Sequence, residues 1–142
     1  KPDPADSHRS LPEANPCTFY ERLLMVRGML HEYGYESKRF CMVPFPINVP
    51  QLWPYYVPDD AVYLVSIYDK WGEKKLALFQ ENGLSTDILY RRQREDKEVL
   101  GSDVRRRIAT DDGWEDLVPQ ATVRVIREFS IQQRIKRLLH RV

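Results

Sequence analysis

The chain has 142 residues, of which 42% are hydrophobic and 30% are charged, and its formal net charge is +1. These values are typical of a globular protein with one domain, and the small net charge excludes a general attraction to nucleic acid or anionic membranes. Prolines interrupt the uncharged stretch 40–58, which excludes a regular membrane-spanning helix there. We expect no secretory signal, no membrane partner, a cytoplasmic location, and free Cys17 and Cys41 thiols in a reducing compartment.

The hydrophobic periodicity alternates between helical and extended patterns along the chain, which predicts an α/β fold with a layered parallel sheet. Proline-rich residues 1–16 predict an irregular N-terminal arm, and residues 17–142 predict one α/β domain. Thr18 and Glu21 have the spacing of a capping box. The predicted helices cover 18–33, 71–82, 102–109 and 119–129, a further apolar face covers 131–139, and the predicted strands cover 39–43, 62–67 and 84–90.

An aromatic, proline-rich segment, residues 45–58, follows the first predicted strand. Rigid aromatic rings on such a segment, Trp53 among them, can offer a stacking surface for a base, or they can fill the end of a core. Ser66 lies near the end of the strand predicted at 62–67. Because ligands of open α/β sheets lie beyond the carboxyl ends of the strands, Ser66 is a candidate contact for a nucleotide.

A predicted helix start follows at Gly101 and Ser102, with Arg105, Arg106 and Arg107 in its first two turns. Ser102 is a good N-cap residue, and the free N–H groups of a helix start attract anions. The stretch therefore predicts either a phosphate site or a solvated basic surface.

Two regions of the chain, residues 101–119 and 15–22, contain motifs of a known family. In the first region, residues 101–108 (Gly-Ser-Asp-Val-Arg-Arg-Arg-Ile) and 113–119 (Gly-Trp-Glu-Asp-Leu-Val-Pro) are similar to the Ser-x-Thr-x-x-Arg and Trp-x-x-Leu-Val-Pro of the nicotinamide-mononucleotide adenylyltransferases, which belong to the HxGH nucleotidyltransferase superfamily. Residues 15–22 (Asn-Pro-Cys-Thr-Phe-Tyr-Glu-Arg) resemble Asn-Pro-Phe-Thr-x-x-Glu-Arg. Leu100 replaces the family's first serine, and Cys17 replaces an aromatic residue.

The resemblance implies a Rossmann-like nucleotidyltransferase fold, an open parallel sheet with flanking helices. It implies transfer of AMP from ATP to a mononucleotide-like acceptor in NAD biosynthesis, with Mg²⁺ as a cofactor for which the sequence identifies no protein ligand. Arg105 is the implied catalytic residue. The implied phosphate and nucleotide contacts are Gly101, Ser102, Arg105, Arg106, Ser66 and Arg22, and the implied substrate contacts are Trp53 and Asn48.

The superfamily's His-x-Gly-His motif does not occur in the sequence, whose histidines are His8, His31 and His140. The resemblance therefore predicts a C-terminal part that lacks the first strand-helix unit: a fragment, a mis-started reading frame or half of a split protein. Alone it is expected to be inactive. Since a sheet without its central strand exposes an edge, self-association or a missing N-terminal partner segment is also expected.

Two alternatives to an enzymatic function remain open. The truncated fold could be a non-catalytic module that binds a nucleotide or a protein. The basic C-terminal segment, 121–142, could contact nucleic acid, although a packing helix with a charged outer face is the more common use of such a pattern.

Overall fold

A computed structural model of the chain describes residues 11–139. The described residues divide into two compact units, 11–42 with 99–139 and 43–98, which we call unit 1 and unit 2. Most of the arm predicted for residues 1–16 lies outside the described residues, which begin at residue 11. The prediction of one domain over 17–142 stays a prediction.

Unit 1 contains helices α1 (Phe19–Glu32), α3 (Gly101–Thr110), α4 (Gln120–Glu128) and α5 (Ile131–Leu139). The predicted capping box begins α1, because Thr18 and Glu21 exchange side-chain and backbone hydrogen bonds. The core of this unit is formed by apolar side chains of α3, α4 and α5 around the fully buried Trp114. Helices α1 and α4 approach closely at Gly28, where a β-carbon would lie 2.5 Å from Cβ of Ala121.

Unit 2 contains strand β1 (Val62–Ile67), helix α2 (Lys70–Glu81) and strand β2 (Ser85–Arg91). The two strands pair in parallel, with an irregularity between Val65 and Ser66. Val65 and Ile67 face a core that also contains Trp53, Leu76 and Phe79. The mixed α/β architecture with a parallel sheet and packed helices confirms the predicted fold class, and the β1–α2–β2 crossover is the repeating element of Rossmann-like folds.

The strand predicted at 39–43 is wrong. A short 3₁₀ helix covers Ser37–Arg39, and Phe40 then continues with extended backbone that joins no sheet of the described residues. Apolar residues can favour an extended conformation, but a strand also needs a partner for its N–H and C=O groups. The following Pro44 and Pro46 have no N–H to donate.

The opposite face of the sheet, which we call the outer sheet face, exposes apolar side chains. Val62, Leu64 and Leu89 are 58%, 59% and 55% exposed. Parallel sheets are usually covered on both faces, so this face favours the predicted self-association or partner segment, which stays a prediction. No helix within residues 11–139 is both long and apolar enough to cross a membrane.

Candidate functional site

The two motifs of the sequence lie at one cavity of about 370 Å³ in unit 1. One wall is formed by the turn Asn15–Cys17 together with Arg22 of α1. The other is formed by the first turn of α3, with Gly101 and Arg105. Apolar side chains of α4 and α5 form the floor, among them Ile126, Ile131 and Ile135. We call this space the motif cavity.

Arg105 is half-buried, and its guanidinium makes no hydrogen bond or ion pair with the described part of the chain. A β-carbon at position 101 would lie 3.2 Å from Nη1 of Arg105, so the guanidinium folds back over the helix start. Glycine at 101 leaves room for this arrangement. A planar donor group beside a helix start is well suited to the oxygens of a phosphate.

The neighbouring arginines of α3 differ from Arg105 because they have partners. Arg106 is exposed, and its Nη1 lies 4.0 Å from Oδ2 of Asp112. Arg107 donates to the Gly113 carbonyl at 3.3 Å. Neither residue lines the motif cavity. The structure therefore distinguishes Arg105, which lines the motif cavity, from Arg106 and Arg107, which do not. The sequence alone does not make this distinction.

Arg22 brings a second positive charge to the cavity from the opposite wall. Its side chain is exposed and, like that of Arg105, makes no ion pair among residues 11–139. Cys17, at the residue where the family has an aromatic, is half-buried beside it. Burial and the nearby Glu21 carboxylate raise the pKa of the Cys17 thiol, so this side chain adds a neutral surface rather than a charge.

The predicted N-cap at Ser102 is wrong. Helix α3 begins one residue earlier, at Gly101, with Leu100 as the N-cap and no capping side chain. The N–H groups of Asp103 and Val104 both donate to the Leu100 carbonyl, so the amides of Gly101 and Ser102 lie at the open end of the helix. Ser102 is exposed and does not line the motif cavity. Helix α4 likewise begins at Gln120, one residue after the expected Pro119.

Ser66, Trp53 and Asn48 lie in unit 2, and none of them lines the motif cavity. Trp53 is 3% exposed. Its ring packs against Phe45 and Phe79, and its Nε1 donates to the Pro46 carbonyl at 3.0 Å. Of the two interpretations of this aromatic segment, the core-filling one agrees with the structure. Asn48 is exposed, and substrate contacts by either residue stay predictions.

The carboxyl ends of β1 and β2 form a second, more open cavity of about 730 Å³ in unit 2. Near it, Tyr68 donates a hydrogen bond from its hydroxyl to that of Tyr90 at 2.9 Å. Hydrogen bonds from Ser66 and from Tyr68 lower the pKa of Tyr90. The cationic ends of Lys97 and Arg92 lie 4.3 Å and 4.8 Å from the centres of the Tyr68 and Tyr90 rings, respectively, so each ring already has a cation over it.

A further arginine, which the sequence did not mark as a site residue, contacts the motif at residues 15–22. Arg134 of α5 donates to the Pro16 carbonyl at 2.9 Å and to both carboxylate oxygens of Glu21 at 2.7 and 2.8 Å. The signal was present in the sequence. Arg134 follows the buried Ile131 by three residues and precedes the buried Ile135 by one, which puts it on the packed side of the helix.

The Mg²⁺ implied by the resemblance finds no protein ligand set in the part of the chain that the structure describes. Residues 11–139 contain no group of three or more His, Cys, Asp or Glu side chains placed to hold a metal ion. Mg²⁺ as a cofactor stays a prediction of the resemblance.

Comparison with curated proteins gives relatives over most of the chain. The phosphonoformate cytidylyltransferase of Streptomyces viridochromogenes is 50% identical over 131 residues, which are 92% of this chain and 70% of the relative. The nicotinamide-nucleotide adenylyltransferase of Thermococcus kodakarensis is 34% identical over 134 residues, 87% of this chain and 65% of the relative. The enzyme of that name from Saccharolobus solfataricus is 27% identical.

No family model matches the chain. The pairwise similarity is nevertheless extensive, since one relative at 50% identity is matched over 70% of its length. The chain spans about two thirds of the length of the adenylyltransferase from Thermococcus. We conclude that the chain belongs to the nucleotidyltransferase family that includes phosphonoformate cytidylyltransferase and the nicotinamide-nucleotide adenylyltransferases.

Proposed function

We propose that the chain is the larger part of a nucleotidyltransferase, and that its motif cavity binds phosphate groups of the reacting nucleotide. The observation that carries this proposal is the arrangement of Arg22 and Arg105. Residues from two motifs about eighty positions apart in sequence line one cavity, and neither guanidinium has a partner among the described residues. A bound anion would provide that partner.

In the reaction that the resemblance implies, an oxygen of the acceptor attacks the α-phosphorus of the nucleoside triphosphate. The bond between that phosphorus and the β-phosphate oxygen breaks, and pyrophosphate leaves with the electron pair. No covalent enzyme nucleophile is needed, so catalysis consists of positioning and charge stabilisation. Arg105 would hold the triphosphate, and the amides of Gly101 and Ser102 would add donors at the helix end.

Two pairs of substrates fit this chemistry. The resemblance implies ATP with a mononucleotide acceptor, as in the adenylyltransferases. The higher identity to phosphonoformate cytidylyltransferase, 50% against 34%, favours CTP with a small phosphonate acceptor. We therefore propose cytidylyl transfer from CTP as the first candidate reaction. The alternative is adenylyl transfer from ATP, which would belong to NAD biosynthesis. Binding of a nucleotide without catalysis is the outcome expected if the chain acts alone.

Calorimetric titration of CTP and ATP into the chain tests the proposal without requiring turnover. We expect both nucleotides to bind, CTP more tightly, and Arg105→Ala to weaken both. The finer assignment is tested by pyrophosphate release from CTP with phosphonoformate and from ATP with nicotinamide mononucleotide. These assays use a chimera of this chain with the unmatched part of the Streptomyces enzyme. Absence of nucleotide binding to both the chain and the chimera would refute the proposal.

A further inference from the structure

A buried ion pair joins helix α5 to the start of α1. Glu21 is 3% exposed, and its two carboxylate oxygens accept hydrogen bonds from the two terminal nitrogens of Arg134 at 2.7 and 2.8 Å. One of these nitrogens also donates to the Pro16 carbonyl at 2.9 Å. A single guanidinium thus contacts the motif turn and the carboxylate that caps the next helix.

The same carboxylate is fixed from a second direction. The Thr18 N–H donates to Oε2 of Glu21 at 2.8 Å, and the Thr18 hydroxyl accepts from the Glu21 N–H at 3.2 Å. Arg134 lies on the packed side of α5, next to the buried Ile135 and one turn after the buried Ile131, which are 3% and 0% exposed. The guanidinium is therefore attached to the packed face of one helix and holds the first residues of another.

This network lies directly behind one wall of the motif cavity. Asn15, Pro16, Cys17 and Arg22 line that wall, while Ile131 and Ile135 belong to its floor. We propose that Arg134 is a positioning residue, which holds the Asn15–Cys17 turn and thereby sets the wall that faces Arg105. Its effect on nucleotide binding rests on the proposed function, whereas its effect on the turn does not.

A purely structural ion pair is the alternative, and removing Arg134 alone would not separate the two. Arg134→Leu leaves the Glu21 charge buried without its partner, which destabilises the fold whatever the turn does. The Glu21→Gln background avoids this problem, because glutamine keeps an acceptor for the Thr18 N–H and carries no charge. The informative comparison is therefore Glu21→Gln against Glu21→Gln with Arg134→Leu, in which the Pro16 carbonyl loses its charged donor.

Two measurements on a Cys41→Ser background decide the question: the affinity of pyrophosphate, and the rate at which a thiol reagent labels Cys17. Cys17 lies in the turn and is half-buried, so its labelling reports opening of the turn. We expect the double variant to bind pyrophosphate about tenfold more weakly and to label Cys17 about tenfold faster than Glu21→Gln. The two proteins should melt at similar temperatures.

Equal labelling and equal affinity in the two proteins would overturn the inference. If neither the unsubstituted chain nor the chimera binds pyrophosphate, the proposed function fails, and the Cys17 labelling rate alone decides the positioning role. If the double variant does not fold, Arg134→Lys takes its place. Lysine keeps the charge but has one nitrogen in place of the two that contact the Glu21 oxygens, so we expect partial effects in both measurements. Wild-type labelling and affinity in Arg134→Lys would then refute the positioning role.

Discussion

Replacing Arg105 by alanine separates a phosphate site from a solvated basic surface. Arg105 lines the motif cavity, is half-buried and has no partner among the described residues. A hydrogen bond to a charged group contributes about 1.5–3 kcal/mol, and 1.4 kcal/mol corresponds to a tenfold change in affinity. We therefore expect Arg105→Ala to weaken the binding of CTP by about tenfold to a hundredfold. Arg105→Lys should restore part of the loss, because lysine keeps the charge without the planar fork.

Two arginines provide matched controls with the same change in charge. Arg106 follows Arg105 on the same helix, but it is 58% exposed in its side chain and lies 4.0 Å from Asp112. Arg124 of α4 pairs with Glu32 of α1 at 2.9 Å, and its side chain is 66% exposed. Neither side chain lines the motif cavity, so Arg106→Ala and Arg124→Ala should act only through screened long-range attraction and each weaken binding by less than about fivefold.

The assay is calorimetric titration of CTP at two salt concentrations. Salt should weaken the long-range attraction in every variant, while the difference between Arg105→Ala and the two controls should persist. Equal losses of affinity in Arg105→Ala, Arg106→Ala and Arg124→Ala would refute the reasoning. The motif would then be a helix start with a solvated basic face.

Three further predictions concern stability and assembly. Gly28→Ala should destabilise the chain by about 1–3 kcal/mol in chemical unfolding, because the new methyl group would lie 2.5 Å from Cβ of Ala121; an unchanged midpoint would contradict the packing of α1 on α4. Hydrogen bonds from Arg134 lower the pKa of Glu21 from its ordinary value of 4.5. The ion pair should therefore stabilise the fold above about pH 4.5, and this stabilisation should be lost as the pH falls further. Thermal melts should show the loss in the wild type and a weaker loss in Glu21→Gln. The exposed outer sheet face predicts self-association or marginal stability; a monomer in sedimentation with a high, cooperative melting temperature would contradict it.

Local rules predicted the parts of the fold that depend on neighbouring residues. The capping box at Thr18 and Glu21 begins α1 as predicted, and Gly34, with φ of 84°, ends it. The residues of β1 were found because they are nearly continuous in apolar character. In each case the sequence signal and the structural cause lie within a few residues of one another, so no knowledge of the tertiary structure was needed.

The failures depend on contacts between distant residues. Residues 39–43 have the composition of a strand, but pairing with another strand decides whether a strand forms. The separation of Arg105 from Arg106 follows from the rotation of α3 against its neighbours. The contact of Arg134 with Glu21 could not be predicted from local rules, because the two residues are more than one hundred positions apart in the sequence.

The central claim, that the two motifs form one phosphate site, is tested most directly by titrating pyrophosphate into the isotope-labelled chain and following its amide resonances. We predict that the largest shifts occur in the Asn15–Cys17 turn and at Gly101 and Ser102 of the α3 start, and that in Arg105→Ala both sets need about tenfold to a hundredfold more pyrophosphate to reach their midpoints. Shifts confined to the cavity at the carboxyl ends of β1 and β2, with the motif turn and the start of α3 unchanged, would contradict the claim.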